Sequence, residues 1–209
     1  MLPENYPYIQ SVRLKHDGFF KTGVDKDWVP IAGEQYFATN PPGFIWQGTT
    51  RLFTARDQYV ADRGQLVVHL FSLLKVVDAH GLTVDQGELL RWLGESVWFP
   101  TNLLPSERLH WSPVDNRAAT VTLKHKGLTL NYTVHFNDED ELVRLETHRY
   151  MTPERLESWI GELSDYRRIN GVLIPTRIQA TWKLPEGEHT YADFRVKEVD
   201  YDLPTLFRP

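Results

Sequence analysis

The sequence predicts a mainly β protein of α+β class: a curved antiparallel meander sheet or half-open β-barrel with one amphipathic helix packed on it. Three observations predict it. Short runs of alternating apolar and polar residues recur from residue 12 to residue 201, punctuated by Gly, Asn, Asp and Pro. One stretch, near residues 84–98, switches to helical spacing. Aromatic residues, which favour strands and also line ligand pockets, are abundant, with ten Phe, seven Trp and nine Tyr.

The elements follow in order. Val12, Leu14 and His16 alternate with Arg13, Lys15 and Asp17 until Gly18 ends the run. Residues 35–39 form a second short strand, closed by the turn Asn40-Pro41-Pro42-Gly43. Residues 44–55 read as one extended segment anchored by Trp46 and Phe53, and Asp62-Arg63-Gly64 as a hairpin turn between Tyr59-Val60 and residues 65–71. Residues 72–77 continue as apolar, β-branched sequence. In the helix, Leu89, Leu90, Leu93 and Val97 make one apolar face. Thr83 is its expected N-cap, with Gln86 completing a capping box and Asp85 and Glu88 favourable to the dipole; Pro100 stops it.

Strands then resume over residues 110–114, 118–125 and 128–136. The two-residue turn Lys126-Gly127 fixes the register of the last two. His125 faces Leu128, Leu123 faces Leu130, Val121 faces Tyr132 and Ala119 faces Val134, while Thr122–Asn131 and Thr120–Thr133 make a polar face. Residues 142–150 form the next strand, and residues 152–157 either a short helix or a loop. Strands over residues 158–169, 172–184 and 190–201 finish the chain, joined at Asn170-Gly171 and Pro185-Glu186-Gly187. Short connections make neighbours in sequence neighbours in the sheet, and about ten to twelve strands in one meander tend to curl. No linker or repeat divides the 209 residues, so residues 1–209 read as one domain.

Composition narrows the function classes. The chain is 41% hydrophobic and 24% charged with a net charge of −5, and its 23 basic residues are spread along it, which disfavours a nucleic-acid partner. The absence of cysteine removes a disulfide framework, a thiolate zinc site and a cysteine nucleophile. The longest apolar run, residues 66–74, is interrupted by His69 and too short to span a bilayer. Met1-Leu2-Pro3-Glu4-Asn5 lacks a basic flank and an apolar signal segment, so the chain as written reads as cytoplasmic; removal of an anchor would make the bacterial envelope the alternative.

Candidate chemistry concentrates on the helix. Glu88, Arg91 and Glu95 share the face opposite the leucines. They are either a solvated charge ladder, or the polar lining of a cavity under a curved sheet that fixes a ligand head or moves a proton. The two carboxylates stand roughly 10.5 Å apart along the axis, within reach of a two-carboxylate hydrolase. Trp92, Trp98 and Phe99 beside them either plug the helix onto the sheet or line a pocket. Arg149, if it shares a face with Val143 and Leu145, points inward and calls for Glu88 or Glu95 as partner; otherwise it faces solvent. His135 and His148 lie on adjacent strands, but two histidines without a carboxylate make a poor metal site. No serine-nucleophile or phosphate-loop motif is present, and no metal or cofactor is expected.

Several segments carry a resemblance. They are Gly43-Phe44-Ile45-Trp46, then Asp57-Gln58-Tyr59-Val60 with Asp62-Arg63-Gly64, then the helix from Gln86 to Leu93 with Glu95, Trp98 and Pro100. Asp165-Tyr166-Arg167, Asn170-Gly171 and Ile174-Pro175-Thr176 follow. In this order and spacing the chain resembles an uncharacterised bacterial family, a domain of unknown function, over about residues 10–200. The resemblance implies no activity, and many relatives look membrane-tethered through N-terminal apolar helices. A helix on an open curved sheet is also similar, at the level of fold, to the lipoprotein-carrier (LolA/LolB-like) half-barrel of bacterial envelopes.

Two functions are compatible with these residues. In the first, the concave sheet and helix enclose an apolar or amphipathic small molecule or lipid, held by Glu88, Arg91, Glu95, Trp92, Trp98 and Arg149. In the second, Glu88 or Glu95, set by Arg91, acts as general acid/base in the same cavity. Membrane association is expected only if an N-terminal anchor is missing from this chain.

Overall fold

The computed structural model describes residues 6–71 and 73–203. Residues 1–5, read above for a signal segment, and Ser72, the first residue of the apolar stretch 72–77, lie outside the described residues. The first meander runs β1 (Ser11–Phe20), β2 (Val29–Ala38), β3 (Gly43–Thr49), β4 (Phe53–Val60), β5 (Arg63–Leu70) and β6 (Leu74–His80). Helix α1 (Leu82–Glu95) follows, and two short 3₁₀ turns, Ser96–Trp98 and Pro100–Leu103, extend it. The second meander runs β7 (Leu109–Pro113), β8 (Ala118–His125), β9 (Leu128–Phe136), β10 (Leu142–Thr152), β11 (Arg155–Ile169), β12 (Val172–Leu184) and β13 (Gly187–Tyr201).

All thirteen strands join one antiparallel sheet, in the order β6-β5-β4-β3-β2-β1-β13-β12-β11-β10-β9-β8-β7. The sheet curves without closing into a barrel, as expected. Within each meander, sequence neighbours pair. The expectation fails at two places. β1 pairs with β13, sewing the meanders together at the centre, and β6 and β7 are opposite edges joined only through α1 and its 3₁₀ turns. The helix touches β3 to β6 in one arm and β9 and β10 in the other. It therefore crosses the concave side like a strut.

Local chemistry explains where the elements differ from expectation. Gly18 does not end β1, which continues to Phe20; a Cβ there would lie 2.0 Å from the Asp193 carbonyl oxygen, so glycine permits the close seam with β13. β2 begins at Val29 rather than residue 35. The segment over residues 44–55 is two strands, because Thr50 Oγ1 accepts from the Leu52 and Phe53 amides and turns the chain. The β4–β5 turn is Ala61-Asp62, both at positive φ, and Gly64 already belongs to β5. Residues 152–157 form no helix: Thr152 pairs with Arg155 across a tight turn. At the start of α1, Gly81 rather than Thr83 is the N-cap, and no side chain caps it; Asp85 instead accepts from the Gly64 amide at 2.7 Å and pairs with Arg63.

The β8–β9 register is the expected one at all six pairs, because the Lys126-Gly127 turn, with φ of 47° and 83°, leaves no other alignment. At the arm tips, His125 Nε2 meets Asp62 Oδ1 at 2.6 Å, tying the β8–β9 turn to the β4–β5 turn. Leu89, Leu90, Leu93 and Val97 are buried in one continuous core with Leu14, Phe37 and Ile174.

Candidate functional site

The polar face of α1 points into the protein. Glu88, Arg91 and Glu95 border a cavity of about 480 Å³ between the helix and the concave sheet. Arg91 Nη1 donates to Asp57 of β4, and Arg91 Nε donates to Glu95 Oε1 at 3.0 Å. Gln35 of β2 donates to the other Glu95 oxygen at 2.6 Å. The guanidinium also sits over the Phe44 and Trp46 rings, 5.1 and 4.9 Å from their centroids. Trp46 Nε1 donates to His16 Nε2 at 2.7 Å, extending the network to β1.

This environment sets the protonation states. Burial and the neighbouring Asp57 carboxylate push Glu88 well above the ordinary carboxylate range, against the pull of Arg91 and Arg149. Burial also raises Glu95, opposed by Arg91 and the Gln35 hydrogen bond. Burial and the Arg91 charge lower His16 to about 4, so it is neutral and accepts the Trp46 hydrogen bond. Burial works against the charge on Arg91, but Glu95, Asp57 and Glu88 outweigh it and keep the guanidinium charged.

Arg149 points inward from β10, as its alternation with Leu145 allows, but its hydrogen-bond partner is not a glutamate. Nη2 donates to the Gly87 carbonyl of α1 at 3.0 Å, and the guanidinium lies 5.4 Å from the Trp159 ring centroid. Trp92 and Trp98 do not border the cavity. Both are buried in the layer that closes the far side of the helix, with Nε1 donating to the Ala38 carbonyl at 2.9 Å and the Pro175 carbonyl at 3.1 Å. Trp98, Phe99 and Phe37 pack there as an aromatic plug. His135 and His148 also stay apart: His135 faces Arg144, and His148, farther along β10, meets Ser158 Oγ at 3.3 Å.

The remaining walls are apolar, with Ile31, Ala55, Leu66, Val68 and Ile178 facing Tyr132 and Trp159. Gly94 lets the Tyr132 ring rest on the helix, since a Cβ there would come within 3.0 Å of its hydroxyl oxygen. Exposed Thr22, Val77 and Tyr150 mark the rim, whereas Glu88 and Asp57 are buried at the inner end. The cavity is therefore an apolar chamber with a buried polar and charged inner end.

A sequence profile for a family of unknown function, DUF6544, matches residues 1–194. The chain belongs to that family. A search of curated proteins finds no match. Among solved structures, a DUF1329 family protein from Desulfovibrio piger superposes with a TM-score of 0.51 at 9% identity, covering 95% of this chain and 88% of its own. A putative outer membrane lipoprotein-sorting protein domain from Vibrio parahaemolyticus gives 0.50 at 7% identity, covering 94% and 87%. A LolA superfamily protein from Nitrosomonas europaea gives 0.44 at 14% identity, covering 95% and 89%. At these identities the likeness is one of fold. Among the described residues of this DUF6544 chain, no helix is long and apolar enough to cross a membrane.

Sequence reasoning missed Asp57, Gln35 and His16. Each occupies an inward position of a strand whose other inward residues are mostly apolar: Ala55 and Tyr59 flank Asp57, Phe37 follows Gln35, and Val12 and Leu14 precede His16. A polar residue on the buried side of a period-two strand was the available signal.

Proposed function

We propose that this protein binds an apolar or amphipathic small molecule or lipid in the chamber between α1 and the curved sheet. The observation that carries this reading is the chamber itself: about 480 Å³, apolar along its walls, with converging polar groups at its inner end. Its size falls in the range typical of small-molecule sites, and a mixed lining of this kind suits a ligand with one polar end. The lipoprotein-sorting description attached to the Vibrio parahaemolyticus neighbour is compatible with a carrier role.

Native mass spectrometry of the protein purified from cells tests the reading, with a bound mass released on denaturation as the expected result. Displacement of an environment-sensitive apolar dye such as 1-N-phenylnaphthylamine gives a second measurement. Absence of both a co-purifying mass and dye binding would sink the proposal.

One observation favours the acid/base alternative. Burial and Asp57 push the Glu88 carboxyl well above the ordinary carboxylate range, the direction a general acid requires. Arg91, its expected activator, is already engaged by Asp57 and Glu95, which favours binding over chemistry.

A further inference from the structure

Within the chamber the two guanidinium groups are placed differently. Arg91 has two carboxylate partners, Asp57 and Glu95. Arg149 makes no ion pair within 4 Å among the described residues, and its one hydrogen bond goes to a backbone carbonyl. Its Nε is buried with no hydrogen-bond partner. A guanidinium presents a planar fork of five donors, and a buried donor left unmade is expensive.

Two other polar groups line the same chamber. Glu88 is 7% exposed, and its Oε2 is buried without a hydrogen bond. The Tyr191 hydroxyl, on the same cavity wall, accepts from Trp159 Nε1 at 3.0 Å and keeps its own proton to donate. Arg149 and Tyr191 thus bring donors to the same chamber beside Glu88, beneath apolar walls that lead to the rim at Val77 and Tyr150.

Resting on the binding reading above, we propose that the ligand is a single-chain amphiphile with one carboxylate, its head on Arg149 and its chain along the apolar walls toward the rim. A carboxylate matches the guanidinium fork and leaves an oxygen for the tyrosine hydroxyl. A single negative charge is favoured because Arg91 is already shared by Asp57 and Glu95, which leaves Arg149 as the one guanidinium of the chamber lining without an ion pair among the described residues. A chamber of about 480 Å³ also suits one chain better than a two-chain phospholipid.

Competition against bound 1-N-phenylnaphthylamine, using the full-length protein, compares dodecanoate, dodecanol and dodecyl phosphate. Dodecanoate is expected to compete roughly ten- to a hundredfold more strongly than dodecanol, the range of a charge-assisted hydrogen-bond pair. In Arg149→Met that ratio should fall to near one while dodecanol competes as before. Equal competition by acid and alcohol in the unmutated protein overturns the proposal but leaves the binding reading standing, and needs no variant to fold. Stronger competition by dodecyl phosphate than by dodecanoate also overturns it. If neither the dye nor dodecanol binds, the binding reading itself fails.

Discussion

On one face of α1, Leu89, Leu90 and Leu93 expose at most 1% of their surface. On the other, the Arg91 and Glu95 side chains expose 15% and 13%, and Glu88 is 7% exposed. The first face packs into the apolar core, and its burial is favourable by transfer from water. The second gains nothing from leaving water and persists because Arg91 meets the countercharges of Asp57 and Glu95, while burial shifts Glu88 toward its acid form. Burial depth alone therefore does not separate packing from function on this helix. The distinguishing property is what each group finds when it arrives: full van der Waals contact on one side, and on the other a polar network bordering open space.

That contrast can be broken most severely at its charged centre. Arg91→Met should remove about 3–5 kcal/mol of stability, because Asp57 and Glu95 are left as uncompensated buried charges. Leu93→Ala should remove about 2–5 kcal/mol through cavity formation. Urea denaturation measures both; an Arg91→Met loss below about 1 kcal/mol would mean that the polar face is solvated after all.

The next effect is a pH dependence on the acid side. The unfolded chain takes up a proton on His16 near 6.5, whereas the native protein resists until about 4. Stability should fall by about 3 kcal/mol as pH drops through that window, and His16→Gln should remove most of the fall. Superimposable pH profiles of the two proteins between pH 7 and 4 would refute the assignment.

Glu88 works in the opposite direction. Its native acid form binds a proton that the unfolded chain has lost above about 4.5, so its contribution is present at low pH and fades as pH rises through the raised native value. Glu88→Gln should flatten the fall in stability that sets in as pH rises above about 4.5, read from melting temperature against pH. The smallest change is expected on the closed side of the helix. Trp98→Phe loses the hydrogen bond to the Pro175 carbonyl, worth about 1 kcal/mol, and should leave dye binding unaltered because Trp98 does not border the chamber.

How much of this was legible in the sequence depended on how local the information is. The β8–β9 hairpin was readable pair by pair, since a two-residue turn leaves one register. The leucine face of α1 was readable because apolar spacing and burial go together. The destination of Glu88, Arg91 and Glu95 was not, because a solvated charge ladder and a buried ion network have the same i, i+3, i+4 spacing. Asp57, Gln35 and His16 complete the network from three separate strands, and no local pattern joins them to the helix. The central pairing of β1 with β13 was hidden for the same reason, with Gly18 reading as a strand end when it is a point of close approach.

That seam has a kinetic consequence. Each meander is built from hairpins that close loops of a few residues, but the Arg13–Asp200 contact brings together groups 187 positions apart. Loop-closure entropy must be overcome before such a contact contributes anything, so long-range pairings set the pace of folding. The pairing of β1 with β13 joins the two arms whose strands enclose the chamber. Until then the apolar walls of both arms face water. The long-range pairing is thus also the one that completes the chamber, and a nascent chain halted just before it would present apolar surfaces to its neighbours.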